Sequence, residues 1–197
     1  MVKQADRRKQ TIQLLLSSTK SLIQQKGCHA VTMKDIMDVS GLSKGAIFHY
    51  VNSKDEIFAW VLQERLEETN EQFMDEVERG ERNFEGPMRR IAGRLSVLED
   101  PQDVTNKVLM YLLGKEEDPA VAEALKQFYA RSVELSKQWI VTGQQHGVIP
   151  DSINADQTAE MFVLLSFGLR IRSSLSDLPT TFGTDSFTTF LFRMLHH

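Results

Sequence analysis

Residues 32–57 read TMKDIMDVSGLSKGAIFHYVNSKDEI, and the two glycines within them, Gly41 and Gly45, decide how the chain is built. A glycine inside a helix costs on the order of 1 kcal/mol relative to alanine, so a pair four residues apart needs a geometric reason. Thr32 followed three residues later by Asp35 is a helix-start pattern. It opens a short helix with Ile36 and Val39 on one side that stops at Gly41. Ser43 caps a second short helix, to about Tyr50. Asn52 or Ser53 caps a longer one, with Asp55 and Glu56 in the first turn where the helix dipole favours acids. Two short helices joined by a glycine turn, with a third packed across them, make a helix-turn-helix. Gly41 supplies the positive φ of that turn. Gly45, near the start of the second helix, permits close approach by either the neighbouring helix or a DNA backbone.

Working outward, helical spacing recurs and no strand pattern stands out. Ile12, Leu15, Leu16, Thr19, Leu22 and Ile23 share one helix face, closed by Gly27. The helix after Ser53 is expected to run to about Gly80. Further starts are expected at Gly86-Pro87, Asp100-Pro101 and Asp118-Pro119, because proline fits a first helical turn. A long amphipathic helix should span Pro119 to about His146, an apolar one Ala155 to about Leu175, and a last one follows Asp185. The expectation is an all-α chain of about nine helices. Residues 1–55 would form an N-terminal helix-turn-helix DNA-binding domain and residues 56–197 a C-terminal helical ligand-binding and dimerisation domain.

The charge is unevenly spread. Residues 1–55 carry Lys3, Arg7, Arg8, Lys9, Lys20, Lys26, Lys34, Lys44 and Lys54 against Asp6, Asp35, Asp38 and Asp55, a net +5, while the whole chain is −4. A short basic end on a longer acidic body is the footprint of a polyanion-binding module. The single cysteine, Cys28, has no intrachain partner, and the apolar run at 162–169 is too short to span a bilayer. A cytoplasmic protein without a membrane partner is the expectation.

In a helix-turn-helix the second helix enters the major groove with its N-terminal residues on base edges. Leu42 and Ile47 are the inward anchors. Lys44 suits guanine O6 or N7, and Ala46 a thymine methyl. Thr32, Ser43, His49, Tyr50 and Lys54 are candidate phosphate donors, and Gly45 leaves room for the backbone.

The same stretch, with GCHAVT before it, resembles the DNA-binding signature of the tetracycline-repressor (TetR) family. The matching positions are Gly27, Thr32, Ile36, Ser40, Gly41, Leu42, Ser43, Gly45, Ile47, Tyr50, Ser53, Lys54 and Asp55. Phe48 departs from the tyrosine usual there and lacks its hydroxyl, Val51 replaces a common phenylalanine, and Cys28 a common aromatic. The resemblance implies a homodimeric repressor of a double-stranded DNA operator, released when a small-molecule effector binds between the middle helices. It also implies a four-helix interface from the last two helices of each subunit. Phe162, Leu165, Leu169, Phe187, Phe190 and Leu191 are the residues expected there, and Met74, Met110, Phe128, Trp139 and Arg170 are expected to line the pocket. Arg170 and Arg172 both lie in an apolar helix, where a buried guanidinium needs a partner. The plain reading of each is a salt bridge or an exposed helix end; the sharper one is an anchor for an anionic ligand.

Enzyme motifs are missing from the sequence: no HExxH, no phosphate-binding GxxxxGK loop and no GxSxG. His29, His146 and Cys28 lack metal-ligand spacing, so no metal and no cofactor is expected. The rival from another class is an all-helical interaction module whose basic end binds a protein.

Overall fold

The cap residues of the sequence set the helix boundaries in the computed structural model, which describes residues 2–79, 93, 95–175 and 178–196. Helix α1, Val2–Ala30, is broken at Gly27, whose φ of 76° and ψ of 161° are not helical. Helix α2, Met33–Ser40, starts on a reciprocal cap: the Asp35 N–H donates to Thr32 Oγ1 at 3.2 Å and the Thr32 N–H to Asp35 Oδ2 at 2.8 Å. It ends at Gly41, whose φ of 67° lets its N–H donate to the Met37 carbonyl at 2.9 Å. Helix α3, Lys44–Phe48, is capped by Ser43, which accepts from the Ala46 N–H at 3.2 Å. It stops slightly short of the expected Tyr50.

Helix α4, Lys54–Arg79, takes Ser53 as its cap, the Glu56 N–H donating to Ser53 Oγ at 3.2 Å. A 3-10 turn, Ser96–Glu99, precedes helix α5, Val104–Leu113. The start expected at Asp100-Pro101 is displaced: Asp100 Oδ1 accepts from the Gln102 N–H at 2.8 Å, making a turn, and Asp103 caps α5 through the Asn106 N–H at 3.1 Å. Helix α6, Pro119–Gln145, follows Asp118 as expected; α7 is Ala155–Ser173 and α8 is Thr184–His196. The start expected at Gly86-Pro87 lies outside the described residues. Among the described residues there are eight α-helices, one 3-10 turn and no strand. No helix of these is long and apolar enough to cross a membrane.

Apolar burial organises the helices into two clusters. The first holds Leu15 and Ile23 of α1, Ile36 of α2 and Ile47 of α3, then Ile57, Phe58 and Leu62 of α4. It continues without interruption into Val108, Leu109 and Leu112 of α5 and Phe128 of α6. The second cluster, at the opposite end, joins Leu98, Ile140, Ile149, Ala159, Leu169, Phe187, Leu191 and Leu195. Helix α4 packs on α1, α5 and α6, while α7 packs chiefly on α6 and the 3-10 turn.

The first turn of α4 is the joint between these parts. Lys54 Nζ donates to the carbonyls of Val31 at 2.7 Å, Cys28 at 3.2 Å and His29 at 3.4 Å, tying off the end of α1. Burial pulls the Lys54 pKa down from its ordinary value. Asp55, next to it, accepts from Tyr111 Oη at 3.0 Å and from Lys115 Nζ at 2.6 Å. The hydrogen bond to Asp55 holds the Lys115 ammonium above its ordinary pKa. Lys20 on α1 also pairs with Glu64 of α4 at 2.7 Å.

Because Lys54 satisfies three carbonyls at a helix end, Lys54→Met is expected to lower global stability by about 1–3 kcal/mol. Urea denaturation followed by circular dichroism measures it, and an unchanged midpoint would mean that water replaces the ammonium at those carbonyls.

Candidate nucleic-acid interface and ligand cavity

Helix α3 buries one side chain completely and turns the others out. Ile47 is fully buried and Leu42 packs partly against the same core, so the helix is fixed by its inner face. Ser43, Lys44, Gly45, Phe48 and His49 are exposed, and Ala46 and Tyr50 are half-buried. Lys44 Nζ lies 5.7 Å from the centroid of the Phe48 ring, one turn along, and the His49 and Tyr50 rings meet edge to face at 5.0 Å. A β-carbon added at Gly45 would meet nothing within 4 Å. Packing by a neighbouring helix therefore does not explain this glycine, and its open side faces the surroundings of the protein.

The basic residues of this end divide into two groups. Lys20 is paired with Glu64, and Lys26 with Asp35 at 2.7 Å. Hydrogen bonds from Lys26 and Thr32 hold the Asp35 carboxyl well below the usual carboxylate range. Lys54, expected as a phosphate donor, has its ammonium committed to three carbonyls. Thr32, expected as another, spends both its hydroxyl and its N–H on Asp35. Arg7, Arg8, Lys9, Lys34 and Lys44 are exposed, and among the described residues no carboxylate pairs with them. Lys34, in the first turn of α2, was not among the sequence-derived contacts. Its signal was its place just after the Thr32 cap, beside the amide-rich end of the helix.

A cavity of about 150 Å³ opens between α4, α5, α6 and α7. Phe128, Trp139 and Arg170 line it, together with Leu62, Leu66, Leu98, Val163 and Phe167. Trp139 Nε1 donates to Asn70 Oδ1 at 2.9 Å, and its ring stacks on Phe73 at 5.0 Å. Two expected lining residues lie elsewhere. Met74 is exposed on α4, and Met110 lines a more open cleft of about 380 Å³ beside Cys28, His29 and Tyr111. Both are spaced correctly for an apolar face, but α4 turns Met74 outward, and Met110 faces the joint. Cys28 is buried there, with its thiol pushed up to about 11, chiefly by desolvation, which makes it a poor nucleophile.

The apolar surface of α7 and α8 is also distributed differently from the expectation. Leu169, Phe187 and Leu191 are buried within their own protomer, and Phe162, Leu165 and Phe190 pack partly against the same cluster. The face of α7 left uncovered carries Met161, Leu164, Gly168 and Ile171, with Leu175 just beyond. Of these, Leu164 is 57% exposed, Ile171 41% and Leu175 55%. Spacing alone does not tell the two faces apart, because α7 is apolar nearly all round.

Together the fold and this surface define an all-α helix-turn-helix protein. The family model described as bacterial regulatory proteins, tetR family, matches residues 15–61. The HTH-type transcriptional regulator YfiR of Bacillus subtilis is 33% identical over 54 residues, 27% of this chain, so the match spans only 26% of that protein's length. The HTH-type transcriptional regulator UidR of Escherichia coli is 22% identical over 171 residues, covering 83% of this chain and 82% of UidR. A protein from Saccharomonospora viridis, described as a transcriptional regulator in complex with choline, has a similar fold. Its TM-score is 0.62 at 22% identity, over 96% of this chain and 97% of that one. Residues 15–61 are thus similar to the DNA-binding end of tetR-family bacterial regulatory proteins, and the fold of the whole chain is similar to that of solved transcriptional regulators.

Gly45→Ala separates the two explanations of that glycine. The variant should be as stable as the parent or up to about 1 kcal/mol more stable, since alanine is the better helix former. Its affinity for duplex DNA, read by fluorescence anisotropy, should fall at least about tenfold. Unchanged affinity would show that the open space at Gly45 plays no part in DNA approach.

Proposed function

We propose that the chain is a homodimeric repressor that binds a palindromic operator through α3 and is released when a small molecule occupies the α4–α7 cavity. Residues 1–55 read DNA, and residues 56–197 bind the effector and dimerise. The observation that carries this reading is that one helix, α4, both lines the cavity, through Leu62, Arg65, Leu66 and Thr69, and roots the DNA-binding helices through Lys54. In α3, Ser43, Lys44, Gly45, Ala46, His49 and Tyr50 face the operator. Lys44 makes the base contact, and Arg7, Arg8, Lys9 and Lys34 supply phosphate contacts. Thr32 and Lys54 act by holding α2 and α4 in place.

A second copy of the chain is the partner of the bare face of α7. Met161, Leu164, Gly168, Ile171 and Leu175 recur at the alternating three- and four-residue spacing of a helix–helix seam. Gly168 allows two such helices to approach closely, since nothing lies within 4 Å of its missing side chain. A twofold axis through this face gives two recognition helices, which a palindromic site requires. The effector releases DNA only to the extent that it binds the non-binding spacing of those helices more tightly than the binding one. The interaction-module alternative gives the basic end a protein partner but does not account for the match of residues 15–61 to the family model of bacterial regulatory proteins.

Leu164→Glu places a charge in the seam. Analytical ultracentrifugation should show a folded monomer, and affinity for a two-half-site DNA should fall at least about a hundredfold as the avidity of the pair is lost. A variant that remains dimeric with full affinity would move the interface to another surface.

A further inference from the structure

Arg170 and Arg172 are two residues apart on α7, and their surroundings are opposite. The Arg172 guanidinium is bonded to the Glu99 carboxylate and donates to the Phe182 carbonyl at 2.5 Å, and Glu99 accepts from the Thr184 N–H at 2.7 Å. That is a complete surface ion pair. Arg170 points the other way, into the cavity, and among the described residues its one bond runs from Nη1 to the amide oxygen of Asn106. Among the described residues, no carboxylate lies within ion-pair distance of it, and Asp103 acts on it only at longer range. Asn106 offers it a neutral amide oxygen and no charge. It is buried, and its Nδ2 already donates to the carbonyls of Val97 at 2.8 Å and Asp100 at 2.9 Å.

The cavity adds to this imbalance. Among the described residues its lining contains a second guanidinium, Arg65, paired with Glu68 at 4.0 Å, and no Asp or Glu side chain. A guanidinium carries five N–H donors, so most of those on Arg170 find no acceptor among the described residues. Arg170 is half-buried with no countercharge among the described residues, and that desolvation has drawn its pKa down to about 10. The group still carries its proton at neutral pH, so the cavity presents a fixed positive charge. A methionine or leucine would fill that space at less cost if packing were the only requirement.

The remaining polar groups agree with an anion. Thr105, Ser136 and Ser166 line the same space with hydroxyls, which donate as readily as they accept. Opposite them Leu66, Phe128, Val163 and Phe167 form an apolar wall. A volume of about 150 Å³ is close to that which holds one benzene-sized molecule. A cation such as the choline of the Saccharomonospora complex would need the opposite lining.

We infer that the α4–α7 cavity takes a small organic carboxylate, its charged end on the Arg170 guanidinium and its apolar body against Phe128, Val163 and Phe167. This rests on the reading of the cavity as the effector site and narrows the effector to one chemical class. A bidentate guanidinium–carboxylate pair fixes both charge and orientation. The same guanidinium is bonded to Asn106, and Asn106 holds the turn that leads into α5.

The test uses the full-length protein and isothermal titration calorimetry, with monocarboxylates from butyrate to benzoate, each paired with its neutral amide. At least one carboxylate is expected to bind, at least tenfold more tightly than its amide, in keeping with a charge-assisted pair. Arg170→Met should lose carboxylate affinity at least tenfold while leaving the amide's unchanged. Arg170→Lys keeps the charge but not the fork, should fall between the two, and serves if the methionine variant does not fold. No carboxylate binding, equal affinity for the amides, or carboxylate affinity that survives both substitutions would each overturn the inference. DNA binding by the ligand-free protein is measured in parallel. DNA binding without carboxylate binding would remove the ligand class and leave the regulator; carboxylate binding without any change in DNA affinity would remove the release mechanism and leave the site.

Discussion

The ammonium of Lys54, held by the carbonyls of Cys28, His29 and Val31, is the contact on which the rest of the molecule depends. A helix end leaves carbonyls without partners, and a buried end must find donors elsewhere. Here the donor comes from the first turn of another helix, so the end of α1 and the start of α4 are fixed to each other. The next residue, Asp55, binds Tyr111 and Lys115 and fixes the same turn to α5. The DNA-binding helices and the cavity helices thus meet at two adjacent side chains, and the apolar core runs through the joint without a break. A displacement of α4 at the cavity has a short, well-packed route to α3.

Much of this is legible in the sequence, because local signals carry it. The Thr32–Asp35 cap, the turn at Gly41, the Ser43 cap and the Asp118-Pro119 start each depend on residues within four positions of one another. The signature from Gly27 to Asp55 likewise names the DNA-binding end. Legibility ends where a side chain is committed by a distant partner. Lys54 has the look of a phosphate donor because its acceptors lie 23 to 26 residues away, and Asp100 that of a cap because Asp103, three residues on, competes for the same helix start. Nor does apolar periodicity choose between inner and outer faces when a helix is apolar all round, which is why spacing points to Leu169 for the dimer when it is Leu164 that lies bare.

Charge explains the division of labour better than composition does. The overall value of −4 conceals a basic end in which Lys20, Lys26 and Lys54 are consumed internally, while Arg7, Arg8, Lys9, Lys34 and Lys44 stay open to solvent. The same distinction applies inside the second half of the chain. Arg131 is clamped between Glu67 and Glu134 and Arg172 is bonded to Glu99, whereas Arg170 faces a cavity in which no acid is found among the described residues. Positive charge without an internal partner marks both places where a ligand is expected, a polyanion outside and a small anion within.

The proposed regulator requires that α3 read DNA as one of a symmetric pair. Selection of bound duplexes from a random pool by the full-length protein, followed by sequencing, tests this with no operator sequence assumed. Recovered sequences should converge on an inverted repeat whose half-site centres lie about 10 base pairs apart, or a multiple of that. Failure to enrich any sequence, or convergence on a single half-site with no symmetry, would contradict it.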